Sequence, residues 1–436
     1  MKKLEGRATI CLLLVLAMLA GLIYFIVRLE VHGPEWAGFY ANSHIFSNGS
    51  LTAGEVKDRN GFTLLKYDKN GAEYTGTESE RRALSTVLGD VNYSIPTGVN
   101  VVFRPELVGY NFVTGTEGIF GNKGGKVTLS IDKDLNQTAY EALGNREGLV
   151  CVYNYVTGDI VCLVSTPTVD PMDPNATENA QSGAYINKVM SAKFAPGSTF
   201  KVLTSLAAME KLSDMDSWTF TCTGSHDLGG SRITCPYAHG TMDFSGALAN
   251  SCNCAYGELA AELGPKIMKK YVDKTGLTKS YDINGIETMA GTFEFTSVPI
   301  DLGWAGIGQH NDEANPLSLV TFMGAIAGGG TTAKPSILKG GSTDFLDLVD
   351  SSSAKKLDRM LRNDVEVKYG DENFPGLELR AKSGSAEMGD GGLTNAWFLG
   401  YSGDYAFVVM VEHGGAGSDV AGPIANTVLQ KIKEQE

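Results

Sequence analysis

The stretch KFAPGSTFKVLTSLAAMEK, residues 193–211, decides the fold prediction. Pro196 and Gly197 are typical helix-start residues, and the apolar residues after them recur at helical spacing: Phe200, Val202, Leu203, Leu206 and Met209. Ser198 is therefore expected in the first helical turn, where unpaired N–H groups and the positive dipole end favour a developing oxyanion. Lys201 follows on the same face, within reach of the hydroxyl proton. Because a Ser-x-x-Lys pattern with a capping serine is common by chance, a catalytic interpretation needs further residues.

A second polar cluster lies in ANSCNCAYGELA at 249–260, where Ser251 and Asn253 are separated by one residue. In an extended or turn segment, two side chains at this spacing point to the same side. A hydroxyl can relay a proton, and an amide can both donate to and accept from a peptide group. The alternative is an ordinary Ser- and Asn-containing turn before a helix.

A third cluster lies in LRAKSGSAE at 379–387, which is predicted to be a strand. Lys382 supplies a cation, Ser383 and Ser385 supply hydroxyls, and Gly384 leaves the backbone without a Cβ atom. An extended substrate could pair with such an edge, with its carboxylate held by the hydroxyls near Lys382. The alternative is a basic residue in a flexible Gly-Ser turn.

The segment from Ala8 to Val27 contains no charged residue. At about 1.5 Å per residue it is long enough to cross a bilayer core of about 30 Å. Lys2, Lys3 and Arg7 precede it, so the positive-inside rule predicts residues 1–7 in the cytoplasm and the chain after residue 28 outside. A cleaved signal peptide is the alternative, but the long apolar run without a nearby small-x-small site favours a retained single-pass anchor.

The chain of 436 residues is too long for one ordinary domain. Residues 28–145 show short alternating runs between turns, which predict a small β-rich pedestal. Residues 146–436 begin with a strand pair that turns at Thr157 and Gly158, continue with helices, and end with a second strand pair and a helix within 396–434. Strands at both ends with helices between them predict one α+β domain with an antiparallel sheet.

The composition restricts the partners. The formal net charge is −14, whereas phosphate binding needs clustered Lys and Arg to displace counterions. Nucleic acid is therefore not expected as a partner.

The cysteines give no zinc-binding spacing, and no metal site is predicted. Cys11 lies in the predicted span, and the other cysteines lie in a compartment where disulfides persist. Cys222 and Cys235 flank a Gly-rich, turn-like stretch, so both a disulfide and two free thiols remain open. The remaining cysteines are interpreted as small core residues: Cys151, Cys162, Cys252 and Cys254.

The order of the three clusters, Ser-x-x-Lys, Ser-x-Asn and Lys-Ser-Gly, resembles the signature of β-lactamases and penicillin-binding proteins. The resemblance is closest to the class B penicillin-binding proteins, the monofunctional peptidoglycan D,D-transpeptidases. GEVKDRNG at 54–61 resembles their segment leading out of the membrane, and VTLSIDKDLNQTAYEAL at 127–143 resembles the start of their catalytic domain. Further segments follow in the family's order: TGDIVCLVSTPTVDP, INKVMSAKFAPGSTFK, HGTMDFSGALANSCN, GWAGIGQ and NAWFLGYSGDYAFVVMVE.

The resemblance implies the penicillin-binding transpeptidase fold, similar to that of serine β-lactamases, with helices flanking an antiparallel sheet. It implies that Ser198 attacks the carbonyl of a D-Ala-D-Ala stem peptide and that Lys201, made neutral by burial near Lys382, is the general base. It also implies that Ser251 passes the proton to the leaving amine and that Asn253 holds the acyl-side amide.

For substrate binding, the resemblance implies that Lys382 with Ser383 and Ser385 binds the terminal carboxylate beside Gly384. The backbone N–H groups of Ser198 and Ser385 would form the oxyanion hole. The implied partners are peptidoglycan stem peptides, lipid-linked nascent glycan, β-lactams and a SEDS-type membrane glycosyltransferase. No cofactor is implied.

Three positions depart from the family's usual pattern. Ser383 and Ser385 replace the threonines of Lys-Thr-Gly-Thr, which removes the methyl groups that restrict χ1. His310 replaces a glycine after Gly-Gln, and Asn395 replaces a histidine before Ala-Trp. None of these changes removes a catalytic group.

Other function classes remain as alternatives. A D,D-carboxypeptidase differs only in using water as the acyl acceptor. A β-lactamase needs a base that activates water, and no candidate is identified for that role. A penicillin-sensing receptor would need a cytoplasmic signalling portion, and a non-catalytic scaffold would not need all three motifs.

Overall fold

The computed structural model describes residues 2–39, 54–68, 71–115, 124–387, 389 and 392–435. Parts of the predicted pedestal, residues 40–53, 69–70 and 116–123, lie outside the described residues. The chain forms two compact units. The first comprises residues 1–57, 61–75 and 99–127, and the second comprises residues 58–60, 76–98 and 128–436.

The helices of the described chain are α1 (Lys2–Ala37), α2 (Glu78–Leu88), α3 (Val99–Val102), α4 (Arg104–Val108), α5 (Lys133–Leu143), α6 (Ala176–Asn179), α7 (Lys188–Ser191), α8 (Lys201–Lys211), α9 (Phe244–Ala249), α10 (Asn253–Lys274), α11 (Pro299–Ala305), α12 (Pro316–Ala327), α13 (Ser351–Asp364) and α14 (Gly417–Gln435). Short 3₁₀ turns span Gly197–Phe200 and Asp371–Asn373, and a π-helical turn spans Val365–Tyr369.

The strands are β1 (Glu55–Lys57), β2 (Thr63–Asp68), β3 (Gly71–Tyr74), β4 (Lys126–Thr128), β5 (Gly148–Asn154), β6 (Ile160–Thr166), β7 (Thr219–Cys222), β8 (Ser225–Leu228), β9 (Ser231–Thr234), β10 (Gly240–Asp243), β11 (Asp282–Ile283), β12 (Ile286–Glu287), β13 (Thr331–Ala333), β14 (Phe345–Asp347), β15 (Arg380–Glu387), β16 (Thr394–Ser402) and β17 (Tyr405–Val411).

The first unit contains α1, which includes the predicted span 8–27. Its apolar side chains, such as Leu13 and Leu16, are exposed. Within the part of the chain that the structure describes, α1 is the one helix long and apolar enough to cross a membrane. An exposed apolar surface of this length suits lipid rather than water. A four-stranded sheet of order β3-β2-β1-β4 accompanies α1, α3 and α4.

The second unit is built on a five-stranded sheet of order β15-β16-β17-β5-β6, in which every neighbouring pair is antiparallel. Strands from both ends of the unit therefore meet at the β17–β5 pair. This confirms the predicted α+β class with an antiparallel sheet. Both predicted strand pairs are present, as β5–β6 and β16–β17.

Helices cover both faces of this sheet. On one face, α5 and α14 pack against alternate strand residues in a buried apolar cluster that includes Val150, Phe398, Phe407 and Val409. On the other face lies α12, where the Tyr153 hydroxyl is hydrogen-bonded to Thr332 at 2.8 Å and to the Thr321 carbonyl. Because strand side chains alternate between faces, a sheet covered on both sides needs apolar residues at nearly every position, as β5 and β6 have.

Two helices that the sequence analysis placed in the pedestal, α2 and α5, belong to the second unit. Arg81 of α2 forms a bidentate ion pair with Asp170, at 2.8 and 2.6 Å. Asn136 of α5 is fully buried and exchanges hydrogen bonds of 2.9 and 3.0 Å with the backbone of Leu163 in β6. These contacts tie α5 to β6 itself and α2 to the loop that follows β6.

Candidate active site

The nucleophile candidate Ser198 lies in the 3₁₀ turn Gly197–Phe200, which continues directly into α8. The first N–H groups of a helix have no intrahelical acceptor, so this turn offers donors close to the half-buried Ser198 hydroxyl. The predicted helix start at Pro196 and Gly197 thus corresponds to a tight turn that leads into α8.

The Lys201 amine brings the first two predicted clusters together. Its Nζ lies 2.9 Å from Ser198 Oγ, 2.7 Å from the Ser251 carbonyl, 3.1 Å from Ser251 Oγ and 2.8 Å from Asn253 Oδ1. Ser251 has a left-handed backbone, with φ of 49°, and Asn253 begins α10. This turn aims the Ser251 carbonyl, the Ser251 hydroxyl and the Asn253 amide at one nitrogen.

A neutral amine can satisfy all four contacts. The Ser251 carbonyl and Asn253 Oδ1 can only accept hydrogen bonds, so they take the two N–H groups of a neutral lysine. The orientation of the Asn253 amide is fixed because its Nδ2 donates to the Thr234 carbonyl at 3.0 Å. The nitrogen lone pair then faces the hydroxyls of Ser198 and Ser251, and it can accept the proton of either.

The surroundings of Lys201 favour the neutral form. Lys201 is fully buried, and this burial lowers its pKa well below the ordinary lysine value. The positive charge of Lys382, also fully buried, lowers the Lys201 pKa further. Lys382, which the sequence analysis placed in a separate motif, therefore helps to set the pKa of Lys201.

The third cluster lies on β15, the edge strand of the sheet. Lys382 and Gly384 face the helical side that carries Ser198: a Cβ atom on Gly384 would lie 2.9 Å from Thr199 Cγ2 and 3.1 Å from the Pro196 carbonyl. A side chain at position 384 would therefore push away the turn Gly197–Phe200 and the residues just before it, which we call the nucleophile turn. Lys382 Nζ donates to the Ser383 carbonyl at 3.1 Å.

Ser383 and Ser385 alternate to the other face of β15. Ser383 Oγ accepts from the Tyr369 hydroxyl at 3.0 Å, and Ser385 Oγ accepts from the Gly417 N–H at 3.3 Å. Each serine keeps its own O–H proton for a further acceptor. Their predicted contact with a substrate carboxylate stays a prediction.

The open edge of β15 presents backbone donors. The Ser383 N–H points out of the sheet and donates to the Tyr369 hydroxyl at 2.8 Å. Two residues further along the strand, the Ser385 N–H faces the same way by strand alternation. That N–H belongs to the residue expected to contribute to the oxyanion hole.

Long-range contacts hold the nucleophile turn against the sheet. The indole N–H of the fully buried Trp397 donates to the Ala195 carbonyl at 3.1 Å. The Gly197 N–H donates to the Gly308 carbonyl at 2.8 Å. Gly308 has φ of 75°, and a Cβ atom there would lie 2.3 Å from the Gly197 carbonyl, so only glycine fits.

Sequence reasoning missed three groups beside the site: Tyr369, Trp397 as a donor, and Asp364. Asp364 is fully buried at the end of α13, and within the described part of the chain neither of its oxygens has a hydrogen-bond partner. Burial raises its pKa to about 7, while the charges of Lys382 and Lys368 act in the opposite direction. A signal was available only for Tyr369, as a polar aromatic residue shortly before β15.

The spacing of the cysteines along the chain predicted no metal site, and the structure adds a spatial grouping that the spacing does not show. All seven cysteines are free thiols, and Cys222, Cys235 and Cys252 come together with His239. The spacing along the chain hid this cluster because its members come from segments joined by tight turns. Cys252 lies between Ser251 and Asn253, so the cluster adjoins the candidate active site.

Comparisons with known proteins agree with this geometry. The family model for the penicillin binding protein transpeptidase domain matches residues 148–430. The chain is 26% identical to the peptidoglycan D,D-transpeptidase PbpA of Mycobacterium tuberculosis, an alignment that covers 90% of this chain and 89% of the relative.

Solved structures show the same fold. The ceftriaxone acyl-enzyme complex of penicillin-binding protein A from M. tuberculosis aligns with a TM-score of 0.77 at 22% identity, covering 88% of this chain and 99% of that one. The D,D-transpeptidase domain of a peptidoglycan glycosyltransferase from Eggerthella lenta aligns with a TM-score of 0.75 at 22% identity, with the same two coverages. The family match over most of the chain, together with the predicted motif order, shows that this chain belongs to the class B penicillin-binding protein transpeptidases.

Proposed function

We propose that this chain is a peptidoglycan D,D-transpeptidase that cross-links stem peptides through an acyl-enzyme on Ser198, and that β-lactams acylate the same serine. The observation that carries the proposal is the set of contacts at Lys201 Nζ, which lies within 3.1 Å of oxygens from Ser198, Ser251 and Asn253. The family match and the name of the M. tuberculosis relative support it.

In the acylation step, the Lys201 lone pair takes the proton of the Ser198 hydroxyl while Ser198 Oγ attacks the carbonyl of the penultimate D-Ala. The carbonyl electrons move to oxygen, and the N–H groups of Ser198 and Ser385 stabilise the resulting oxyanion. When the tetrahedral intermediate collapses, the C–N bond breaks. Ser251 Oγ, 3.1 Å from Lys201 Nζ, relays the proton to the leaving D-Ala amine.

The donor peptide would lie along β15 as an added strand. Lys382 supplies positive charge at this position, and the O–H groups of Ser383 and Ser385 remain available as donors to the terminal carboxylate. Asn253 would contact the acyl-side amide. The edge position of β15 supports this pose because an edge strand has backbone groups that no neighbouring strand takes up.

In the second step, the amine of a neighbouring stem peptide attacks the Ser198 ester. A new amide bond forms, the ester C–O bond breaks, and Ser198 regains a proton through Lys201. Ser198 and Lys201 thus return to their starting protonation states. In a D,D-carboxypeptidase, water would take the place of the amine, and the same residues would act.

The first unit would serve as anchor and pedestal. We propose that residues 8–27 span the membrane once, that residues 1–7 lie in the cytoplasm and that the catalytic domain lies outside, where lipid-linked nascent glycan is assembled. Lys2, Lys3 and Arg7 before the span support this orientation.

The proposed reaction predicts exchange as well as hydrolysis. The detergent-solubilised full chain, given a D-Ala-D-Ala-terminated peptide and a labelled D-amino acid, should release D-Ala and form the exchange product. Ser198→Ala should lower both rates by a factor on the order of 10³ or more, because the nucleophile is lost. The matched control is Ser213→Ala, which removes an exposed hydroxyl just after α8.

Two outcomes would contradict parts of the proposal, and a third would show that the variants unfold. Release of D-Ala with hydrolysed donor alone would favour the carboxypeptidase. Unchanged activity in Ser198→Ala would remove the nucleophile assignment. Loss of activity in Ser213→Ala as well would point to unfolding rather than chemistry.

The second prediction concerns pH. The rate of acylation by a fluorescent penicillin should rise with pH as Lys201 loses its proton. The midpoint should lie well below the ordinary lysine pKa because burial and the Lys382 charge favour the neutral form. Lys382→Met removes one of these two causes, so the Lys201 pKa should rise and the midpoint should move to higher pH.

Lys356→Met is the control for this measurement, since Lys356 is a partly exposed cation paired with Asp216 and should leave the midpoint in place. A midpoint that does not move in Lys382→Met, in protein that still labels, would contradict the role of Lys382 in tuning Lys201.

The proposed orientation predicts a protease pattern. A protease added outside osmotically protected cells should digest the chain after residue 28 and leave an N-terminal fragment protected. Protection of the whole catalytic domain until the membrane is opened would contradict the orientation.

The proposed pairing with a SEDS-type membrane glycosyltransferase predicts co-purification. A tagged full chain isolated in mild detergent from its own cells should bring down one such polymerase, whereas a chain with an unrelated span in place of residues 8–27 should bring down less. Recovery of no polymerase would count against the partnership.

A further inference from the structure

Four chain segments bring thiols and an imidazole together beneath the Ser251–Asn253 turn. Cys222 ends β7, Cys235 follows β9, His239 precedes β10, and Cys252 caps α10. Their Sγ and imidazole nitrogen atoms all lie within 4.8 Å of one another.

Regular backbone pairing produces this convergence. In the β7–β10 pair, Gly240 stands opposite Cys222, which places the preceding His239 beside the Cys222 thiol. The Cys235 N–H donates to the Gly224 carbonyl at 2.9 Å, which holds Cys235 next to the β7–β8 turn. The cluster is therefore part of the fold and does not depend on side-chain conformation alone.

The spacing of the atoms suits tetrahedral coordination. Zn–S bonds of about 2.3 Å at tetrahedral angles place two sulfur ligands about 3.8 Å apart. Cys235 Sγ lies 3.7 Å from Cys252 Sγ, far beyond the S–S bond length of about 2.0 Å. Three cysteines and one histidine are a ligand set of closed, structural zinc sites.

Each of the three sulfurs also accepts a backbone N–H. The Gly224 N–H donates to Cys222 Sγ, the Cys254 N–H to Cys235 Sγ, and the Ala255 N–H to Cys252 Sγ, each at 3.4 Å. Such donors stabilise negative charge on sulfur and orient the ligand, as the outer contacts of metal sites do.

His239 adds an independent observation. Its Nδ1 is buried and has no hydrogen-bond partner among the residues that the structure describes, and its ring lies against Tyr237 with ring centroids 4.6 Å apart. A buried ring nitrogen without a partner is costly unless it binds something. A metal ion within the cluster would satisfy it.

We propose that Cys222, Cys235, His239 and Cys252 bind one structural zinc ion. The fourth nearby sulfur, that of Cys254, lies 3.5 Å from Cys235 Sγ but is directed to the Ile233 carbonyl, so it stays outside the ligand set. The ion fixes the residue between Ser251 and Asn253, and through these two it positions the acceptors of Lys201. Its role is positioning, since none of its ligands contacts Ser198 or Lys201 by a hydrogen bond.

Metal content tests the proposal without reference to catalysis. The full chain, purified in detergent without chelator and analysed by inductively coupled plasma mass spectrometry, should contain about one zinc per chain. Cys222→Ser and His239→Gln should each lower the zinc content at least several-fold. Cys11→Ser, a thiol in the membrane helix, is the matched control and should retain the full content.

Cobalt substitution gives a readout that does not depend on a variant folding. The wild-type chain, stripped of metal and reloaded with Co²⁺, should show thiolate-to-cobalt charge transfer and the d–d bands of tetrahedral cobalt.

Two further measurements use the wild-type chain. Non-reducing peptide mapping should find that Cys222 and Cys235 are not joined by a disulfide. After chelation, the rate of penicillin labelling should fall several-fold and should recover when zinc is added.

Several results would overturn the proposal. These are a wild-type chain that takes up no zinc, a Cys222–Cys235 disulfide in the active protein, iron or copper in place of zinc, or full zinc content in both ligand variants. Because zinc content is measured apart from activity, its failure is distinguishable from a failure of the transpeptidase proposal.

Discussion

The Lys201 amine is buried from solvent and held by oxygen atoms of three residues, Ser198 in one segment and Ser251 and Asn253 in another. Desolvating an ammonium is costly, and a second buried cation, Lys382, raises this cost. The nitrogen therefore tends to lose its proton, and its neighbours are arranged for the neutral form: two acceptors that take its N–H groups and two hydroxyls that face its lone pair. Burial lowers the pKa of Lys201, and it also removes the water molecules that could otherwise bind the amine, so the hydrogen bonds to Ser251 and Asn253 must satisfy it.

Other parts of the second unit hold in place the residues that surround Lys201 Nζ. The sheet provides β15 as an open edge and places Lys382 and Gly384 against the nucleophile turn. Trp397 and Gly308 hold the backbone just before Ser198, at Ala195 and Gly197, one through an indole donor and the other by leaving room for close approach. The cysteine–histidine cluster adjoins the remaining segment, the turn of Ser251 and Asn253. Each of the three motifs thus has its own structural support.

Much of this arrangement could be predicted from the sequence because it follows from local periodicity. The i+3 spacing brings Ser198 and Lys201 together, the alternating runs give the strand pairs, and the motif order identifies the family. The strand predicted for LRAKSGSAE also implies that the side chains of Lys382 and Ser383 lie on opposite faces, because neighbouring residues of a strand alternate between faces. This consequence was not drawn from the sequence. Contacts between elements far apart in the chain could not be predicted from local periodicity. The Trp397 contact with Ala195 and the burial of Asp364 depend on elements far apart in the chain, and the cluster around Cys252 depends on how several short hairpins pack.

The central claim is that Ser198 is the residue acylated, with Lys201 as its base. The most direct measurement is mass spectrometry of the detergent-solubilised full chain after reaction with benzylpenicillin, followed by peptide mapping. We predict one adduct per chain, carried by the peptide that contains Ser198. The Lys201→Met variant, treated for the same time, should carry no adduct. An adduct on another residue, or equal acylation without the Lys201 amine, would contradict the account.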